Sequence, residues 1–161
     1  MKMVPEQNRM RRLASAGFTL IELIVAIAIL LLLTTMALPV ARKEVQEQKE
    51  LALRRDLREM RNAIDRYKDF SDRGLIPPTL DGFGYPPSLQ ALVDGVKLKG
   101  MDMRYKFLRR IPRDPMTGHR DWGLRSMQDS PHSRSWGGQN VFDVYSKSQG
   151  VALDGTHYDN W

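Results

Sequence analysis

The chain of 161 residues contains no cysteine. Disulfide bonds are therefore excluded, although many small exported domains depend on them for stability. The sequence also lacks the Gly-x-Ser-x-Gly turn of many hydrolases, a glycine-rich phosphate loop and the helical zinc motif of metalloproteases. Its three histidines, His119, His132 and His157, lie too far apart for a local zinc site. We expect a protein that is not an enzyme and that is stiffened by packing.

Charge is almost missing from a long stretch near the N-terminus. The 24 residues from Phe18 to Ala41 hold one ionisable side chain, that of Glu22. A helix of this length reaches roughly 36 Å, and a hydrocarbon core is about 30 Å thick. Four basic residues and one acid precede the stretch, and basic flanks tend to stay in the cytoplasm. The sequence therefore predicts a membrane span with the bulk of the chain outside the cytoplasm.

Two features distinguish this stretch from an ordinary secretory signal. A signal places its small-residue cleavage site after the apolar region, whereas Ala14-Ser15-Ala16 precedes it here. In addition, a carboxylate in a span costs about 2.5 to 3.5 kcal/mol at mid-bilayer and usually marks a functional contact. We therefore expect Glu22 to have a partner. The alternative is a plain anchor that carries a glutamate near its cytoplasmic end.

Residues 17–23 read Gly-Phe-Thr-Leu-Ile-Glu-Leu, which resembles the cleavage and methylation motif of the type IV pilin superfamily. The resemblance implies that a prepilin peptidase cuts after Gly17 and methylates the new amine of Phe18. It also implies that Glu22 neutralises that amine on a neighbouring subunit of a filament. The chain would then comprise a leader (1–17), a transmembrane and assembly helix (18–41) and a periplasmic domain (42–161).

Removal of such a leader would halve the net positive charge of the chain. The leader carries four basic residues and one acid, so a net charge of +3 remains from the +6 of the whole chain. A nucleic-acid-binding domain normally concentrates basic residues on one face. We therefore expect no nucleic-acid partner.

A helical pattern of apolar residues continues after Pro39, where we expect the helix to bend because proline lacks an amide donor. Apolar residues recur at alternating steps of four and three, the spacing of one helical stripe: Leu53, Leu57, Met60, Ile64 and Tyr67. Glu50 and Arg54, four residues apart, are expected to pair on an exposed face. Gly74 predicts that the helix ends near Arg73.

The rest of the chain predicts short elements. A second helix is expected within 85–93 after two prolines, and aromatic and β-branched runs at 122–125 and 141–145 are typical of strands. The predicted fold class is therefore α+β, in which a long N-terminal helix continues into an amphipathic half that packs on a small antiparallel sheet, as in pilins.

The end of the chain narrows the resemblance to one group within the type IV pilin superfamily. Residues 142–146 and the final Asn160-Trp161 are similar to the G-type, or major, pseudopilin of type II secretion systems. This implies a subunit of a short inner-membrane filament that helps export folded proteins. Its partners would be further copies of itself, the prepilin peptidase, the inner-membrane assembly platform and minor pseudopilins. Two alternatives stay open: a major or minor pilin of a type IV pilus, and a membrane-tethered periplasmic binding module or enzyme.

Resemblance to the G-type pseudopilins also implies calcium in the loop before the final Asn-Trp. Calcium prefers six to eight oxygen ligands, and here Asp154 and Asp159 remain as candidate ligands in a loop that is poor in acids. A turn at Asp154-Gly155 and a solvated charge at Asp159 explain the two aspartates equally well. We expect packing of Tyr145, Tyr158 and Trp161 to hold the loop more than calcium does.

Overall fold

The computed structural model describes residues 17–77 and 82–161, apart from the side chains of residues 36–40. The chain forms two compact units, Met1–Val40 and Ala41–Trp161. Helix α1 (Leu20–Asp72) contributes residues to both units. A bend was predicted at Pro39, whose side chain lies outside the described residues. The remaining elements follow in chain order: α2 (Leu89–Asp94), β1 (Val96–Lys97), β2 (Arg104–Tyr105), β3 (Gly123–Arg125), β4 (Asp143–Tyr145) and a 3-10 helix (Tyr158–Asn160).

The predicted stripe on α1 forms the centre of the core in the second unit. Its five residues, Leu53, Leu57, Met60, Ile64 and Tyr67, are all at most 5% exposed. Buried side chains from the rest of the unit join the same cluster, including Leu92, Phe107 and Trp122. The prediction of a core-facing stripe is therefore confirmed, and the fold class is α+β.

The end of α1 follows from Gly74, as predicted. Gly74 has a φ of 70°, a conformation that glycine adopts without the strain of a side chain. Its amide donates to the carbonyl of Ser71 over 2.9 Å, and the amide of Leu75 donates to the carbonyl of Phe70 over 3.0 Å. This pair of hydrogen bonds is the Schellman arrangement, which satisfies carbonyls that the last turn would otherwise leave free.

Helix α2 starts where the sequence predicts a second helix. Ser88 is its N-cap and accepts a hydrogen bond from the amide of Ala91 over 3.2 Å. Leu89 and Leu92 are buried, and Val93 is half-buried. The carbonyl of Leu92 accepts from the amides of Phe107 and Leu108, both over 3.0 Å. These two hydrogen bonds therefore hold the backbone that follows β2 against the short helix.

Ser88→Ala is expected to destabilise the chain by about 1 kcal/mol, because it removes the side-chain cap of α2. Gln90→Ala in the same helix is the control, since it removes only an exposed hydrogen bond to Asp94. Urea unfolding of both variants measures the difference. Equal midpoints would contradict a role for the Ser88 cap.

Within the part of the chain that the structure describes, two small antiparallel sheets form in place of the single sheet predicted. β3 pairs with β4, with Leu124 opposite Val144, which confirms the two predicted strands. β1 pairs with β2, with Val96 opposite Tyr105, and the sequence did not predict this hairpin. Its strands have only two residues each and their side chains are mostly exposed, so neither carries an alternating pattern that could be recognised.

Candidate functional site: the start of the long helix

Gly17 and Phe18 precede the first turn of α1, and Thr19 caps it. The hydroxyl of Thr19 accepts from the amide of Glu22 over 3.2 Å, and its carbonyl accepts from the amide of Leu23 over 3.1 Å. A side chain added at Gly17 would meet no atom within 4 Å. Packing among the described residues therefore does not require glycine at this position.

Glu22 lies in the first turn of α1 with an exposed side chain. Within the described part of the chain, its carboxylate has neither a hydrogen-bond nor an ion-pair partner. The spacing Thr19-x-x-Glu22 is that of a capping box, in which the glutamate would bond back to the cap residue. Only the threonine half of that arrangement forms. The favourable dipole of the helix start contributes about 0.3 to 1 kcal/mol and leaves the carboxylate open to another partner.

The rest of this stretch presents apolar side chains in every direction. Every large apolar side chain described between Leu20 and Leu33 is 48% to 78% exposed. A helix that is hydrophobic all round is normally covered, either by lipid or by other helices. This surface and Glu22 together form the candidate assembly site.

Within 17–77 and 82–161, no helix is long and apolar enough to cross a membrane. The predicted span at 18–41 includes residues 36–40, whose side chains lie outside the described residues. The span stays a prediction.

The two candidate calcium ligands each contact an arginine. Asp154 Oδ2 lies 3.2 Å from Arg54 Nη2, while Asp154 Oδ1 accepts from the amide of Thr156 over 2.9 Å and from its hydroxyl. These Thr156 bonds and, to a smaller extent, Arg54 lower the pKa of Asp154. Asp159 is buried and pairs with Arg134. Calcium requires about six to eight oxygens, and one oxygen of each carboxylate already pairs with a guanidinium group. These two residues alone do not supply the donor set that a calcium ion needs.

The rest of the described chain adds no metal centre. Between residues 17 and 161, with 78–81 set aside, no group of three or more histidine, aspartate or glutamate side chains is placed to hold a metal ion.

Aromatic packing near the end of the chain forms as predicted. Tyr145 and Tyr158 are buried, and the rings of Tyr158 and Trp161 meet edge to face at 5.2 Å.

Glu50 was wrongly predicted to pair with Arg54. It is 8% exposed and accepts from the hydroxyl of Tyr158 over 2.8 Å and from the amide of Leu153 over 2.9 Å. It therefore ties the final loop to α1. Its position could have been found from the sequence, because Glu50 lies three residues before Leu53 and continues the buried stripe.

Comparison with known proteins agrees with this site. The prokaryotic N-terminal methylation motif matches residues 12–38. Type II secretion system core protein G of Klebsiella pneumoniae is 30% identical over 151 residues, which cover 90% of this chain and 93% of that protein. The protein of the same name from Pseudomonas aeruginosa is 29% identical over 143 residues, 85% of each chain. No solved structure matches this chain significantly. The chain belongs to the family of type II secretion system core protein G, the pseudopilins.

Proposed function

We propose that this chain assembles from the inner membrane into a short pseudopilus that helps a type II secretion system export folded proteins. The observation that carries the proposal is the start of α1. The carboxylate of Glu22 has no partner within the described residues, and every large apolar side chain from Leu20 to Leu33 in the same helix is exposed. A filament subunit needs both features. The apolar side chains attract neighbouring copies, and the carboxylate sets the axial position of one copy against the next.

Processing comes first in this proposal. A prepilin peptidase cuts after Gly17 and methylates the amine of Phe18. Both residues lie before the helix and are exposed, so an enzyme can approach the peptide bond between them. Glycine at 17 supports such an approach because it offers no side chain to obstruct it.

The new amine then gives Glu22 its partner. A carboxylate surrounded by packed apolar helices is costly unless a cation meets it. An axial offset that brings Glu22 of one copy to the Phe18 amine of the next is therefore favoured over other offsets. Because this contact joins different surfaces of the two copies, it repeats without closing and produces a helical filament.

The proposed topology follows from the charges around the helix. Residues 18–41 form a single membrane helix, the N-terminus stays in the cytoplasm and residues 42–161 lie in the periplasm. Assembly takes place at an inner-membrane platform, and minor pseudopilins join the same filament. The role of the chain is structural and mechanical rather than catalytic.

Deletion of the gene in its own host tests this function. We expect the proteins exported by the type II pathway to accumulate in the periplasm, while twitching motility and surface pili persist. Loss of motility or DNA uptake with normal export would instead assign the chain to a type IV pilus. Complementation by a variant that stays uncleaved would contradict a filament subunit and favour a tethered module.

A further inference from the structure

Two arginines donate hydrogen bonds to the main chain of the final segment, residues 154–161. Arg61 Nη2 donates to the main-chain oxygen of Trp161 over 2.7 Å. Arg125 Nη2 donates to the main-chain oxygen of Asp159 over 3.2 Å. Each contact joins the segment to a residue much earlier in the chain, so the two arginines fix where it lies.

One carboxylate positions both arginines. Arg61 Nε lies 2.7 Å from Asp143 Oδ1, and Arg125 Nη1 lies 3.4 Å from Asp143 Oδ2. Arg61 comes from α1, Arg125 from β3 and Asp143 from β4. We call these three residues the arginine clamp. It connects the long helix, the second sheet and the end of the chain.

The position of Arg125 in the clamp is closely defined. The residue is 8% exposed, its Nε donates to the carbonyl of Ser133 over 3.1 Å, and its guanidinium lies 4.0 Å from the centre of the Tyr145 ring. Gly123 makes room for that ring, because a Cβ there would lie 2.2 Å from it. A buried guanidinium is costly unless it is paired and hydrogen-bonded, and here its three nitrogens all have acceptors.

Two outer arginines contact the side chains of the same segment. Arg54 pairs with Asp154 and stacks over the ring of Trp161 at 3.7 Å, and Arg134 pairs with Asp159. Arg54 and Asp154 are both about half exposed, so that pair contributes little by itself. In the other pair Arg134 is exposed and Asp159 is buried. The charge of the two outer arginines nevertheless matters, since it places positive groups at both carboxylates of the segment.

A divalent cation at this segment would have to compete with four guanidinium groups. Calcium gains its affinity from several oxygens that carry net negative charge. Here one carboxylate oxygen of Asp154, one of Asp159 and the main-chain oxygens of Asp159 and Trp161 already accept from arginine. We propose that the arginine clamp does in this chain what a bound cation would do: it closes the final segment on the domain, and calcium adds no stability.

One carboxylate oxygen of the final segment is the most available ligand for a cation. Asp159 Oδ1 is buried and has no hydrogen-bond partner within the described residues. The other oxygen of that carboxylate pairs with Arg134, which reduces the charge left to attract a metal. Calcium binding at Asp159 is therefore the specific event that a test must be able to detect.

The test is thermal unfolding of the full chain in detergent, followed by tryptophan fluorescence, in excess calcium and in excess chelator. We expect the two midpoints of the unchanged chain to agree within about 1 °C. Arg125→Met is expected to lower the midpoint by about 5 to 10 °C in both buffers, because buried acceptors lose a charged donor. Arg61→Met should lower it in the same direction and serves as the second variant if Arg125→Met fails to fold.

Arg120→Met is the matched control. It removes the same charge from an exposed arginine that has no ion pair in the described part of the chain, and its midpoint should shift by less than about 2 °C. A calcium-dependent rise of more than about 2 °C in the unchanged chain would overturn the proposal. So would midpoints for Arg125→Met and Arg61→Met that match the control.

Discussion

Glu22→Val is expected to leave membrane insertion and cleavage intact and to remove fibres from the material sheared from cells. Valine is cheaper in lipid than glutamate, so insertion should not suffer. It cannot pair with the Phe18 amine of a neighbouring copy, however, and one axial offset is then no longer preferred over the others. Since about 1.4 kcal/mol changes an association constant tenfold, loss of this pair at every contact should lower fibre yield at least about tenfold.

Two comparison variants separate assembly from earlier steps. Glu47→Val makes the same substitution at an exposed glutamate outside the candidate assembly site and should give normal fibres. A bulky residue in place of Gly17 should stop the chain at the uncleaved precursor, whereas Glu22→Val should reach the cleaved form. Normal fibre yield from Glu22→Val would refute the proposed role of the carboxylate.

Asp114→Ala is expected to destabilise the domain by about 3 to 5 kcal/mol. The side chain is fully buried, and its Oδ1 accepts from the amides of Met116 and Thr117 over 2.8 and 3.4 Å. Its Oδ2 accepts from the hydroxyl of Ser146 over 2.7 Å, which connects the loop after residue 110 to the end of β4. Alanine would leave these buried donors without acceptors.

Urea unfolding measures this effect, with Asp121→Ala as the control. Asp121 lies in the same region, but its side chain is 72% exposed and pairs with Lys147 at the surface. Its replacement should change the free energy of unfolding by less than about 0.5 kcal/mol. A similarly small change for Asp114→Ala would show that the loop does not depend on the buried carboxylate.

The helices were predictable because their signals are local. The stripe from Leu53 to Tyr67 repeats at helical spacing, and Gly74 marks the end of the helix within a few residues of its last turn. Strands β3 and β4 also carry local aromatic and β-branched runs. Each of these predictions needed only residues close together in the sequence.

The polar contacts of the domain were not predictable in the same way. Arg61 and Asp143 are 82 residues apart, and Glu50 and Tyr158 are 108 apart. Which arginine meets which aspartate depends on how the sheets pack on α1, and a single sequence does not carry that information. The pairing predicted for Glu50 and Arg54 was wrong for this reason, since a local rule was applied to a residue that faces the core.

Unlike the polar contacts of the domain, the functional features at the start of α1 could be predicted from the sequence. Residues 17–23 form a long motif, so cleavage, methylation and the special position of Glu22 were all predicted from sequence. The structure adds that the Glu22 carboxylate has no partner within the described residues and that the large apolar side chains from Leu20 to Leu33 are all exposed. Both findings agree with assembly through this helix.

The most direct test is the intact mass of this chain in fibres sheared from cells that have an active prepilin peptidase. The account predicts a chain that begins at Phe18 and carries one added methyl group, recovered in the fibre fraction. A fibre fraction without the chain, or one in which it still carries residues 1–17, would contradict the account.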